Sequence, residues 1–271
     1  FYNGLKVKIN FKKRISFKIA FLSVFLLILS IRYAVSFEEN YYFEIQYGNF
    51  KIGQIDLLIK NKNNLILVDL SSNSDGVTNI LYKYKSKILS KTLKTSNDLS
   101  PVFFNTESFY KNKKKTTFVK WDNRNEILDL KIEPPLDLMK VYPIPQESLT
   151  NVIHPITAFL KVIEKLKNTN TCKDRFRIFD GRRRYDLLTK NLGVAVLKND
   201  RPKSFSGKVT ICGIRFFPIG GHRLKSKWKP EKDKISDIKI FFGKHRNNLF
   251  FPVRLTVERW FGNIIVRLIN K

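Results

Sequence analysis

Phe179-Asp180-Gly181-Arg182-Arg183-Arg184-Tyr185-Asp186 decides how the second half of this chain folds. Asp-Gly is a strong two-residue hairpin signal, because glycine takes positive φ without steric cost. Arg175-Phe176-Arg177-Ile178-Phe179 precedes it and Arg184-Tyr185-Asp186-Leu187-Leu188 follows, two arms rich in β-compatible residues. Asp180 and Gly181 are therefore expected at the tip of a hairpin. Arg182, Arg183 and Arg184 put fixed positive charge on a rigid element, and strand alternation lets at most two share a side. Paired guanidinium groups grip a phosphate or carboxylate with two bonds each. The competing reading is internal, with Asp180 and Asp186 pairing with the arginines to fix the hairpin.

Outward from this turn the pattern is β. Toward the C-terminus lie Leu192 to Leu197, Lys208 to Pro218, Ile235 to Phe242, Phe250 to Trp260 and Asn263 to Ile269. Gly220-Gly221-His222-Arg223 opens a polar loop through Leu224 to Asp233, which contains Trp228 and Pro230, and loops over-represent functional side chains. Pro252 suits a strand start or an edge. Toward the N-terminus, Tyr41–Tyr47, Gln54–Lys60, Leu65–Ser71, Lys83–Leu93, Pro101–Tyr110, Thr116–Trp121 and Glu126–Glu133 recur at the spacing of an antiparallel meander. Asp75 to Leu81 fits a loop or one helical turn. Lys111-Asn112-Lys113-Lys114-Lys115 reads as a solvated hairpin tip rather than a binding patch. Leu136 to Thr150, with Pro143 and Pro145, is an extended connector. One helix is expected over about 155–167, with Pro155 in its first turn and Ile156, Phe159, Leu160, Ile163 and Leu166 on a face that packs on the sheet.

The N-terminus suggests export. Lys12-Lys13-Arg14 and Lys18 precede an uncharged apolar run from Ile19 to Ile31, then Ala34 and Ser36. Residues 1–36 are read as a secretory signal peptide cleaved after Ser36; the alternative is an uncleaved anchor, for which the run is short of the ~20 residues a spanning helix needs. Residues 37–271 are then a single β-rich domain in the periplasm. In an oxidising compartment Cys172 and Cys212, the two cysteines of the chain, are expected to form a disulfide. A metal site is the weaker alternative, because there is no Cys-x-x-Cys spacing and no nearby histidine pair.

Charge points to the partner. The chain carries +28, and residues 1–36 hold seven Lys/Arg and no acid, so 44 basic against 23 acidic residues leave +21 on the body. Such a body is drawn to anionic surfaces. Nucleic acid fits the charge but not an exported protein. His154, His222 and His245 are scattered, Gly-x-Ser-x-Gly is absent, and Glu133 and Asp137 flank prolines, so neither a triad, a metal cluster nor a glycosidase pair is visible. No cofactor is expected.

His154-Pro155-Ile156-Thr157-Ala158, Cys172, Phe179 to Asp186, Cys212, Pro218-Ile219-Gly220-Gly221-His222-Arg223, Phe251-Pro252-Val253-Arg254 and Phe261-Gly262 together give the chain a family resemblance. It resembles the bacterial domain of unknown function 3108, most of all its exported alphaproteobacterial members, over about residues 41–269. The resemblance implies a periplasmic, largely antiparallel β protein and brings no established activity. Family members usually have Asp where this chain has His154, so a carboxylate cap on the helix is lost.

The expectation is a mainly β protein: a large curved antiparallel sheet, or an open or half barrel, with one packed helix. It is expected to be non-catalytic and to bind an anionic or amphiphilic envelope component, either lipid, lipopolysaccharide or polysaccharide. Arg182, Arg183, Arg184, Tyr185, His222 and Arg223 are the candidate ligand residues. The alternatives are an envelope scaffold acting through protein partners along sheet edges and, behind it, a carbohydrate-active enzyme.

Overall fold

Side chains alternate between buried and exposed along strand after strand, as when Glu39, Tyr41 and Phe43 turn inward while their neighbours face water. A computed structural model describes residues 37–76, 79, 83–96, 98–110, 113–226, 234–246, 249–259 and 262–270. The export signal, the core of Asp75 to Leu81, Lys111-Asn112, Trp228 with Pro230, and Trp260-Phe261 lie outside the described residues.

The first seven strands are β1 (Phe37–Tyr47), β2 (Phe50–Lys62), β3 (Leu65–Ser74), β4 (Tyr84–Lys94), β5 (Leu99–Tyr110), β6 (Lys113–Trp121) and β7 (Ile127–Glu133). Helix α1 (Pro155–Thr169) follows. The remaining strands are β8 (Asp174–Phe179), β9 (Arg184–Leu197), β10 (Gly207–Gly220), β11 (Ile238–His245), β12 (Leu249–Arg259) and β13 (Gly262–Ile269). All 13 belong to one open antiparallel sheet in the order β7-β6-β5-β4-β3-β2-β1-β13-β12-β11-β10-β9-β8. Two meanders are therefore fused where β1 pairs with β13, from Tyr42 opposite Ile269 to Tyr47 opposite Ile264.

The sheet curls around α1. The helix touches β5, β12 and β8, which stand third, ninth and thirteenth in the strand order, and a flat sheet could not bring all three to one helix. The expected face does pack on the core, with Leu160 and Leu166 buried and Ile156, Phe159 and Ile163 against buried residues, but burial extends beyond it. The buried helix residues are Thr157, Ala158, Leu160, Val162 and Leu166, which spread around the helix rather than along one stripe. Pro155 opens it, where its missing N–H costs nothing, and Asn170 closes it in the left-handed conformation. His154 takes over the cap that a carboxylate would supply: its Nδ1 accepts the Thr157 N–H at 3.1 Å. The imidazole is fully buried and stacks 5.3 Å from the Phe104 ring, and desolvation lowers its pKa to about 3.

Cys172 and Cys212 are joined in a disulfide, buried with Ala158, Val162 and Leu166 of the helix. Three details differ from the expectations. β9 runs unbroken from Arg184 to Leu197 as one strand of 14 residues. The arginine turn spans four residues rather than two, with Asp180 N–H donating to Arg183 O at 3.2 Å. Pro252 sits inside central β12, opposite Phe242 at a register shift. Pro101 and Pro218 also stand at shifts, where a residue without an N–H leaves no ladder bond unmade.

Candidate functional site

Turns alternate between the two ends of a meander, so the β5–β6 connection, the end of β7, the β8–β9 turn and the end of β10 all lie at one end, here the turn end. Asp180 organises the turn itself. Its carboxylate accepts the backbone N–H groups of Arg182 at 3.0 Å and Arg183 at 2.7 Å, and the Arg183 side chain at 2.9 Å.

The three arginines then part company. Arg182 reaches across the gap between the sheet's two edges. Its guanidinium donates to Thr117 Oγ1 at 2.9 Å and to the carbonyls of Thr116 at 3.1 Å, Glu133 at 2.8 Å and Pro134 at 2.9 Å. No ladder joins β7 to β8 among the described residues, so this one side chain bridges β6 and β7 to the β8–β9 turn. Gly181 (φ +86) lies so close to Thr117 and Val119 that a Cβ there would overlap both. On the other edge, Ile153 pairs with Ile178 and covers the outer side of β8.

Arg183 is exposed beside Asp180, with Tyr84 and Tyr185 in its electrostatic range. Arg184 is 2% exposed and faces inward to internal partners, Asp186 Oδ1 at 2.6 Å and Ser148 O at 2.8 Å. Burial pushes the Asp186 carboxyl up, but hydrogen bonds from Arg184 and Arg175 outweigh it and hold the group below the usual aspartate value. The hairpin's internal pairing is thus fully realised at Arg184, and two of the three arginines remain at the mouth of the curl.

Tyr185 and His222 meet edge to face at 6.4 Å, and Tyr185 also packs edge-on against Phe216 at 5.5 Å. Burial, then the Arg183 charge, lowers the His222 pKa. Tyr142 N–H donates to His222 O and Gly221 N–H to Tyr142 O, both at 2.8 Å, which moors the connector to the loop that carries Arg223. No carboxylate among the described residues pairs with Arg223.

The sequence reading missed two members of this cluster. Lys113 and Lys115 belong to β6, not to a detached hairpin tip, and alternate onto the face that holds buried Thr117 and Val119. Cross-strand rows confirm the placement: Tyr84, Tyr110 and Lys113 form one row, Ser86, Ser108 and Lys115 the next. Deeper rows change to Ser90, Phe104 and Val119. Burial, together with the charges of Arg223, Arg182, Arg183 and Lys113, holds the Lys115 ammonium below the ordinary lysine value. The period-2 run Lys113, Lys115, Thr117, Val119 is the signal that could have found them.

At the opposite end a polar groove of about 540 Å³ lies between α1, β8 and the β4–β5 and β6–β7 loops. Lys161 pairs with Asp98, Lys165 with Asp174 at 2.8 Å and Arg175 with Asp186 at 2.8 Å, while Arg177 donates to Ser148 O at 3.0 Å. No group of three or more potential metal-ligating side chains occurs among the described residues.

No curated protein sequence shows significant similarity to the chain. Among solved structures, a beta-barrel-like protein of domain of unknown function DUF1849 from Brucella abortus is similar, with 12% identity and a TM-score of 0.49. The match covers 89% of this chain and 98% of that one. The pattern of a protein family of unknown function, DUF3108, matches residues 42–269, and the chain belongs to that family.

Proposed function

We propose that this is an exported, non-catalytic binding protein that takes an anionic, amphiphilic component of the cell envelope at the turn end of its sheet. One observation carries the reading: Lys113 and Lys115 on one strand face share a mouth with Arg182, Arg183 and Arg223, and burial, followed by the charges of those arginines, lowers the Lys115 pKa. Arg183 has Asp180 and Arg182 has carbonyl partners, but Lys113, Lys115 and Arg223 have no acid of their own among the described residues, and an incoming anion would relieve their mutual repulsion. Tyr84, Tyr110 and Tyr185 around them offer flat apolar faces with a hydroxyl handle, suited to a ligand part polar and part apolar. Arg184 has no place in this site, and Lys113 and Lys115 replace it. Periplasmic location is part of the proposal and rests on the leader-like pattern of residues 1–36 and on the buried disulfide.

Lipopolysaccharide and phosphatidylglycerol vesicles at about 0.15 M salt test it, with wild type against a Lys113/Lys115→Glu double variant. Wild type should bind, and the variant should bind at least about tenfold more weakly. Equal binding by the two would place any anion site elsewhere.

A second reading, a scaffold engaging proteins through a sheet edge, is favoured by β7. Its outer side carries no strand among the described residues, and Leu128 and Leu130 on it are exposed. A photo-crosslinker at Leu128 should trap one reproducible envelope protein if this edge is used; a clean lane would dismiss it.

A further inference from the structure

The turn end carries apolar side chains as well as cations. Exposed large hydrophobic residues concentrate there. Leu138 and Met139, on the connector after β7, are 71% and 87% exposed. Tyr142, Ile219 and Leu224 are exposed beside them. These positions are fixed rather than loose. Tyr142 is hydrogen-bonded to His222 and Gly221, Leu224 N–H donates to Lys140 O at 3.0 Å, and Val141 forms a bridge with Arg223. A short apolar finger is therefore pinned beside Arg223 and the arginine turn.

Single exposed hydrophobic residues are ordinary, but a clustered set at one end of a soluble fold marks a surface that something covers. The neighbours say what. Arg223 pairs with Val141 in the finger, Lys115 with its strand neighbour Lys113 lies within electrostatic range of Arg223, and no carboxylate among the described residues pairs with any of the three. An apolar tip beside unpaired cations, with tyrosines at the boundary, complements the headgroup layer of an anionic bilayer: side chains enter the acyl boundary while cations meet phosphate. A purely glycan ligand would satisfy the cations and leave Leu138 and Met139 in water.

We infer that the turn end docks on the surface of an anionic phospholipid bilayer, with Leu138 and Met139 inserted at the interface and Lys113, Lys115 and Arg223 against the headgroups. The inference rests on the anion-binding reading and specifies its partner. Docking holds the mouth of the curl against the membrane and leaves the ion-paired groove facing away.

The test uses the full chain carrying an environment-sensitive fluorophore at Met139→Cys or, as the control at the opposite end, at Val196→Cys. The native cysteines are buried in their disulfide and do not compete for label. With phosphatidylglycerol vesicles the probe at 139 should shift to the blue and the probe at 196 should not. A Leu138/Met139→Ser double variant, which removes apolar surface without adding charge, should bind these vesicles at least about tenfold more weakly while keeping its affinity for soluble dextran sulfate. A water-like spectrum at 139, a shift at 196 instead, or vesicle affinity unchanged in the double variant would overturn bilayer docking. Loss of dextran sulfate binding is the separate mark of the anion site and belongs to the Lys113/Lys115→Glu variant. If that variant binds dextran sulfate normally, the anion reading fails on its own terms.

Discussion

At the groove end of the sheet Lys94 meets Glu164 at 2.8 Å, Lys161 meets Asp98 and Lys165 meets Asp174, so these three lysines each have an acid of their own. At the turn end Asp180 serves Arg183 and carbonyls hold Arg182, while Lys113, Lys115 and Arg223 have no acid among the described residues. Both ends are built from strand termini of one sheet in a chain with the same excess of lysine. The difference is therefore one of pairing, not of composition. It shows that a net charge of +28 identifies neither a site nor a ligand; where the counter-charges are missing does.

The largest expected effect comes from breaking the turn end itself. Gly181→Val forces a β-branched residue into positive φ and against Thr117 and Val119, which should separate the arginine turn from β6 and β7. A loss of roughly 3 kcal/mol in urea unfolding is expected. A variant of wild-type stability would mean the seam does not bear on folding.

Between the ends, the cap of α1 should respond to acid. His154 has a folded pKa of about 3 against an ordinary value of 6.5, so the unfolded chain takes up the proton first. Stability is then complete above pH 6.5 and declines as the pH falls toward 3. The decline should reach roughly 2 kcal/mol by pH 5. His154→Gln should remove that part of the pH dependence, as followed by denaturant midpoints at pH 7.5 and 5. An unchanged pH profile would contradict a neutral buried imidazole.

The smallest effect is expected at the groove end. Lys165→Ala removes a half-exposed ion pair, and a change of no more than about 0.5 kcal/mol is expected, with vesicle binding unaltered. A large stability loss there would show the paired groove to be structural in a way the turn end is not.

Much of this architecture was legible locally. Period-2 alternation marked the strands, Pro155 marked the helix start, and Asp180-Gly181 marked the turn, because each signal lies within a few residues of what it specifies. The pairing of β1 with β13 leaves no local trace, since Tyr42 and Ile269 meet only after both meanders form. The role of Arg182 was hidden for the same reason: its acceptors at Thr116 and Thr117 lie more than sixty residues upstream. In sequence His154 signals the loss of a carboxylate cap, yet an imidazole nitrogen accepts the same N–H. Lys113 and Lys115 stay hidden in sequence because a lysine run resembles a solvated tip; only register against Tyr110 and Ser108 shows which face they share.

The central claim is that unpaired cations at one end, and not overall basicity, create the binding surface. Matched charge reversals test it most directly: Lys113/Lys115→Glu at the turn end and Lys161/Lys165→Glu at the groove end change net charge equally. Sedimentation with phosphatidylglycerol vesicles at about 0.15 M salt compares them. The account predicts at least about tenfold weaker binding for the first pair and little change for the second. Equal losses in the two variants would mean that total charge alone governs binding and would contradict it.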